Sequence, residues 1–202
     1  MLHVKSVNNE LLELLNHLMN DEVFKDFALV GGTALALQLG HRVSIDIDLF
    51  GNTELEPLKI LDALNTLDAV QQIKKNQNIM ILSINGIKVD LVNYKYPWIG
   101  NLDIVQNIRF ASLSDIAAMK LNAIAGRGSV KDFIDLFVLL RIFSLRDMLN
   151  FYNRKYQDGS EFMVLKSLTF FEDADKEELP QLFIDASWSE IKTRILEAID
   201  SL

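Results

Sequence analysis

Asp46 and Asp48 stand two apart in RVSIDIDLF, where Val43, Ile45, Ile47 and Leu49 alternate strictly with Ser44, Asp46 and Asp48. That period of two predicts a half-buried strand over Val43 to Phe50, with both carboxylates on one face and about 7 Å apart along the chain. Like charges held together need an offset. A hard divalent cation such as magnesium or manganese provides it, and carboxylate oxygens are the ligands such a cation prefers. An aspartate pair also suits an ordinary solvent-facing strand, so its chemistry depends on what else comes near. Asp90, in KVDLV, faces opposite to Val89 and Leu91 and is placed to add a third carboxylate from an adjacent strand; by itself it reads as an exposed strand aspartate.

Two other groups bear on the same chemistry. Gly31-Gly32-Thr33 joins a short apolar run to a helical pattern. Open backbone N–H groups at a helix N-terminus receive phosphate well, and a threonine hydroxyl adds a donor, although glycines also simply make tight turns. Lys120 lies in the middle of a segment that is apolar almost all round, Asp115 to Ala125. A lysine there must snorkel out or find a partner. Asp132 and Asp135, three apart on the greasy helix FIDLFVLL, are the partners within reach, and acids in a first helical turn also complement the macrodipole. A structural ion pair and a phosphate-handling lysine both satisfy this pattern.

The elements that must position these residues follow from local signals. Leu11, Leu12, Leu14, Leu15 and Leu18 predict an amphipathic helix over Asn8 to Asn20. Phe27 to Val30 reads as a strand and Thr33 to Leu39 as a helix stopped by Gly40. Pro57 opens a helix running to about Leu67. Asn85-Gly86 between Ile79–Ile84 and Ile87–Tyr94 predicts a two-residue hairpin, because both turn positions tolerate positive φ. A further strand is expected at Ile108 to Ala111. Ser112 or Ser114 can cap the helix carrying Lys120, Gly126 and Gly128 end it, and Ser129 can cap another reaching Phe143. Two or three more helices complete the chain. The fold class is therefore α+β, a mixed or antiparallel sheet flanked by helices over residues 1–111, followed by an all-helical part over residues 112–202.

Composition narrows the classes. The 202 residues carry a formal charge of −8, which argues against a broad basic surface for nucleic acid but not against a local basic cleft. Without cysteine there are no disulfides or thiolate ligands, and His3, His17 and His41 are too scattered for structural zinc, so any metal is held by oxygen. No apolar run approaches the roughly 20 residues that span a bilayer, and no leader pattern opens the chain; a cytoplasmic protein is expected.

Taken together, a strand, GGT, a helix, twelve residues after Thr33 and then Asp-Ile-Asp resemble the signature of the DNA polymerase beta-like nucleotidyltransferase superfamily. More closely, GGTALALQLGHRVSIDIDLF with KVDLV, SDIAAMKLNAIAGRGSVKD and FIDLFVLL is similar to the bacterial AbiEii/AbiGii toxin family of nucleotidyltransferases, over Phe27 to Leu140. The resemblance implies that Gly31, Gly32 and Thr33 hold a nucleoside triphosphate, that Asp46 and Asp48 bind magnesium or manganese, and that Asp90 is the third carboxylate, as ligand or as base. Arg42 and Ser44 match the Arg-x-Ser-x-Asp element beside the metal and nucleotide. Lys120 and Asp132 match the Lys and Lys/Arg-Asp elements, with the lysine near the phosphates, so that the helical part completes the active-site cleft. The implied reaction moves a nucleoside monophosphate from an NTP to a hydroxyl, with RNA such as tRNA as acceptor and an antitoxin as protein partner. A protein or small-molecule acceptor, or a non-catalytic nucleotide- or partner-binding module, fits the same residues.

Overall fold

Asn8 accepts the Leu11 amide at 2.8 Å and so caps α1 (Asn9–Asn20), whose Leu11, Leu15 and Leu18 recur on one face and are buried. The structure, a computed structural model, describes residues 2–202. After α1 come β1 (Ala28–Leu29), α2 (Gly31–Leu39), β2 (Ile47–Gly51), α3 (Pro57–Ala63), β3 (Val70–Lys75), β4 (Ile79–Ile84), β5 (Ile87–Asn93), β6 (Asp103–Val105) and β7 (Ile108–Phe110). Helices then follow: α4 (Leu113–Gly126), α5 (Val130–Leu139), α6 (Leu145–Lys155), α7 (Glu161–Leu168) and α8 (Trp188–Asp200). The seven strands form one mixed sheet in the order β3-β4-β5-β2-β1-β7-β6, with β2 parallel to β5 and β1 parallel to β7. This is the α+β architecture expected from the residues.

Two compact units divide the chain. One comprises the residues up to Gly40, Ser44–Tyr96 and Leu102–Ala111; the other comprises His41–Val43, Pro97–Asn101 and Ser112–Leu202. In the first, Leu29, Ile47, Leu49, Met80, Leu82, Val89 and Leu91 bury one face of the sheet. In the second, Ile116, Leu121, Phe133, Leu136, Met148, Ile191 and Ile195 form a helical core. Among the described residues no helix is long and apolar enough to cross a membrane.

The hairpin forms as its turn residues require. Ile84 pairs with Ile87, and Asn85 and Gly86 have φ of 51° and 79°. Nothing lies within 4 Å of a Cβ placed on Gly86. Gly86→Ala is therefore expected to cost only the left-handed strain, about 1–2 kcal/mol in a denaturant melt, and to leave activity intact. A larger loss would mean that the turn makes contacts the structure does not contain.

Three expectations shift. β2 begins at Ile47, not Val43, because the backbone before it is engaged elsewhere: Ser44 N–H donates to Ser6 O at 2.8 Å and Val43 N–H to Gln181 O at 2.9 Å. Ile45, expected to face the core, is 59% exposed. α3 stops at Ala63 and α5 at Leu139, each four residues short of its expected end. β3 and β6 were not legible as strands. β3 is an edge strand with a bulge at Gln72/Lys74 and almost every side chain exposed, so no alternation marks it. β6 and β7 are joined by Gln106-Asn107, both at positive φ but without the glycine that signals such turns.

Candidate active site

Val30 donates its N–H to Asp48 O at 2.9 Å, which brings the end of β1 against β2 just before the chain turns into α2. Gly31 makes that turn at φ +69°, and a Cβ there would overlap Asp48 Oδ2 and stand 3.2 Å from Asp48 Cγ. The Asp48 carboxylate thus lies directly against the glycine turn. No side chain caps α2, and the first N–H groups of a helix have no intrahelical acceptor, so Gly31 and Gly32 present donors at the carboxylate's edge. Thr33 is placed differently from expectation. Its buried hydroxyl donates to the Asp46 carbonyl and lies 2.9 Å from Ser44 Oγ, tying α2 to the approach of β2, so the hydroxyl is not presented to a ligand.

Asp48 and Asp90 are register partners on the parallel strands β2 and β5. Ile47, Leu49, Val89 and Leu91 on either side point into the core, so both aspartates share the open face, on strands about 4.8 Å apart. Asp90 Oδ2 accepts from Lys88 Nζ at 2.6 Å, whereas Asp90 Oδ1 is buried without a hydrogen-bond partner. An orphaned carboxylate oxygen beside a second carboxylate fits a hard cation in donor chemistry. Asp46 lies just outside β2 and is half-buried. The three aspartates do not close on one point: among the described residues no three carboxylate or imidazole side chains gather as an ion site.

The other expected residues meet in the helical unit. Lys120, only 5% exposed, places Nζ 2.9 Å from Asp132 Oδ1 and 2.6 Å from Asp135 Oδ2. Of the two roles its pattern allowed, the structure contains the ion pair. Arg42, expected to touch nucleotide, is 3% exposed and grips Asp135 through Nε at 2.7 Å and Nη2 at 2.9 Å. Its planar fork matches a carboxylate two to two, which leaves little of it to reach outward. Asp135 also accepts from His41 Nε2 at 2.7 Å. Asp132 takes Ser129 Oγ at 2.8 Å and Arg127 Nε at 3.0 Å besides Lys120. Lys120 and Asp132 are therefore together in the helical unit, whereas Asp46, Asp48 and Asp90 belong to the sheet unit. Asp135 and His41 were not assigned a site role from sequence. The acidic pair three apart on an apolar helix was the available signal for Asp135, but nothing local pointed from it to His41 and Arg42.

Charge states follow from this packing. Burial opposes ionisation of Asp135, but Lys120 and Arg42, with hydrogen bonds from His41 and Arg42, outweigh it and hold the carboxyl well below its usual 3.8. Asp132 is likewise lowered, burial being outweighed by Lys120 and Arg127. Burial works against the Lys120 ammonium too, yet Asp135 and Asp132 raise it above 10.5. The stabilisation from the two depressed carboxyls is whole above the unfolded value near 3.8 and drains as pH falls through their lower folded values. That from the raised lysine is whole below 10.5 and is lost as pH rises through its folded value. The stability gap between wild type and Asp132→Asn is expected to be constant near neutrality and to narrow below about pH 3.8. Tm measured against pH for both proteins checks this, and a gap unchanged at about pH 3 would contradict it.

Comparison with known proteins adds a family and a fold. The family model described as nucleotidyl transferase AbiEii toxin, of a type IV toxin–antitoxin system, matches residues 13–104 and 96–201. A protein of Aquifex aeolicus (strain VF5), named uncharacterized protein aq_aa25, is 33% identical over 195 residues, 94% of either chain. A candidate nucleotidyltransferase of H. pylori, solved by crystallography, has a TM-score of 0.62 at 15% identity and covers 96% of this chain with 95% of its own. The antibiotic-resistance factor ANT(2'')-Ia has a TM-score of 0.54 at 14% identity, over 72% of this chain and 91% of its own. The structural likenesses speak for the fold, that of the DNA polymerase beta-like nucleotidyltransferases.

Proposed function

Because the chain belongs to the AbiEii toxin family of nucleotidyltransferases, we propose that it transfers a nucleoside monophosphate from an NTP to a hydroxyl of RNA, such as tRNA. The carrying observation is the Asp48 carboxylate packed on the Gly31 turn, where the donors of α2 open beside it. A triphosphate received by those donors would lie against a carboxylate, an arrangement that repels unless a cation intervenes. Asp46 and Asp48 would hold magnesium or manganese, which when bound neutralises the triphosphate beside them, and this leaves Asp90 as the base.

The chain's own residues supply the rest. The N–H groups of Gly31, Gly32 and Thr33 receive phosphate oxygens, and the Thr33 and Ser44 hydroxyls set the position of Asp46 through its backbone. Asp90 takes the acceptor's proton on Oδ1 while Lys88 holds Oδ2. The acceptor oxygen bonds to the α-phosphorus, the bond to the bridging oxygen breaks, and pyrophosphate leaves. Arg42, Lys120 and Asp132 act as positioning residues, since their charged groups are turned on one another or on Asp135. Nucleotidyl transfer needs little more, because orientation and charge neutralisation provide most of the acceleration. A cognate antitoxin as partner and a cytoplasmic place of action complete the reading.

The test is incubation with each α-labelled NTP, magnesium and either total RNA or a protein extract, alongside Asp46→Ala. Label in RNA that the variant fails to produce is expected. Label in protein alone overturns the RNA acceptor, and no Asp46-dependent label in any acceptor ends the transferase reading; a non-catalytic module would give that result.

A further inference from the structure

Beyond the carboxylates, where β2 and β5 end, the sheet unit contains a cleft of about 720 Å³. It is framed by the loop after β2, the β3–β4 turn and the segment after β5. Its size is in the range that encloses a small organic ligand. The turn is firmly built: Asn76 Oδ1 accepts the amides of Asn78 and Ile79 at 2.9 and 2.8 Å, and Asn93 N–H donates to Asn78 O at 2.8 Å. Asn76 spends its carbonyl on that turn, which leaves its NH₂ for an outside acceptor.

Lys75 and Lys95 also line the cleft together with one acid, Glu54, and among the described residues no carboxylate, Glu54 included, stands within ion-pair reach of either lysine. A neighbouring cavity of about 320 Å³ shows the contrast, because its lysines, Lys25 and Lys59, are neutralised by Glu22 and Glu56. In a chain with a net charge of −8, two unpaired ammonium groups beside amide side chains select a ligand that is anionic and rich in donors and acceptors. Phosphodiesters answer the lysines; ribose 2′-hydroxyls and base edges answer the amides.

Position decides which such ligand fits. Asn93 is three strand residues beyond Asp90, about 10 Å away, and Asn52 four beyond Asp48, about 13 Å. A polymer reaches across that span in about three to four steps at the ~3.4 Å axial spacing of stacked nucleotides, with one part in the cleft and its end at the carboxylates. We propose that this cleft binds the backbone of the acceptor RNA a few nucleotides from its reacting hydroxyl, with Lys75 and Lys95 as the phosphate contacts. The inference rests on the transferase reading with an RNA acceptor.

The test is K75Q/K95Q, measured with a short fluorescein-labelled single-stranded oligoribonucleotide by anisotropy over a salt series, and with NTP by equilibrium dialysis. Two lost contacts at roughly 0.7 each lower the slope of log K against log salt by about 1.4, which at 0.1 M salt is about 25-fold in affinity. NTP affinity and Tm are expected to stay as in wild type, since neither lysine has an ionic partner to lose. Unchanged RNA affinity, no binding by wild type, or a matching fall in NTP affinity would each overturn the assignment. Asp46→Ala separates the two readings: it should bind the oligonucleotide like wild type and fail only in transfer. Full transfer to RNA by K75Q/K95Q refutes the cleft alone, whereas lysine-dependent binding without any Asp46-dependent transfer refutes the reaction alone.

Discussion

Asp135→Asn is expected to cost about 3–5 kcal/mol of folding stability, the range found when one member of a buried charge network is removed. Asp135 is fully buried and receives His41, Arg42 and Lys120 at 2.6–2.9 Å. An asparagine keeps the shape but not the charge, so two buried cations face a neutral amide, with only Asp132 left to compensate Lys120. At roughly 2–4 °C per kcal/mol the fall in Tm should be about 6–20 °C. A loss under about 1 kcal/mol would mean that the network is more hydrated than its burial indicates. Because Arg42 lies four residues before Asp46 in the chain, folded Asp135→Asn is also expected to transfer more slowly, a deficit that survives correction for the unfolded fraction.

Gly31→Ala is expected to abolish most activity with a smaller effect on stability. The residue is at φ +69°, where an L side chain costs about 1–2 kcal/mol, and its Cβ would occupy the space of an Asp48 carboxylate oxygen. Either the carboxylate or the turn must move by a substantial fraction of an ångström, and a displacement of about 1 Å at a reacting centre can lower the rate about 100-fold. Gly86→Ala is the matched control, with the same kind of strain and no clash. The comparison is made on kcat and Tm together: Gly86→Ala should lower Tm by a few degrees, Gly31→Ala by at least as much because of its overlap with Asp48, and only Gly31→Ala should lower kcat. Equal activity in the two would remove Asp48 from the reaction.

Several features were legible because they depend on short stretches of chain. The alternation of Ile47, Asp48 and Leu49 put the aspartate on the open face, and the same pattern did so for Asp90. Asn85-Gly86 specified its hairpin through two positive φ values, and Ser112 caps α4 by accepting the Asp115 amide at 3.1 Å. Lys120 in an apolar helix demanded a partner, and the acids of the next helix supplied it. Each of these is a matter of backbone geometry or desolvation within about one or two turns or strand pairs.

What the amino-acid sequence by itself determined is therefore the elements, their buried faces and the residues able to carry phosphate and metal chemistry. Tertiary structure alone decided which remote groups meet. Parallel pairing of β2 with β5 set Asp48 beside Asp90, and Asp135, 93 residues from Arg42, claimed the guanidinium expected at the nucleotide. It also turned the Thr33 hydroxyl onto the Asp46 backbone and drew residues 43 and 44 out of β2 toward Gln181 and Ser6. For Asp48 and Asp90 the cause is strand register, and for the other three the physical reason is common. A polar group has many acceptable partners, local spacing shows only that it needs one, and the choice falls to whichever complementary group the packed core brings within about 3 Å.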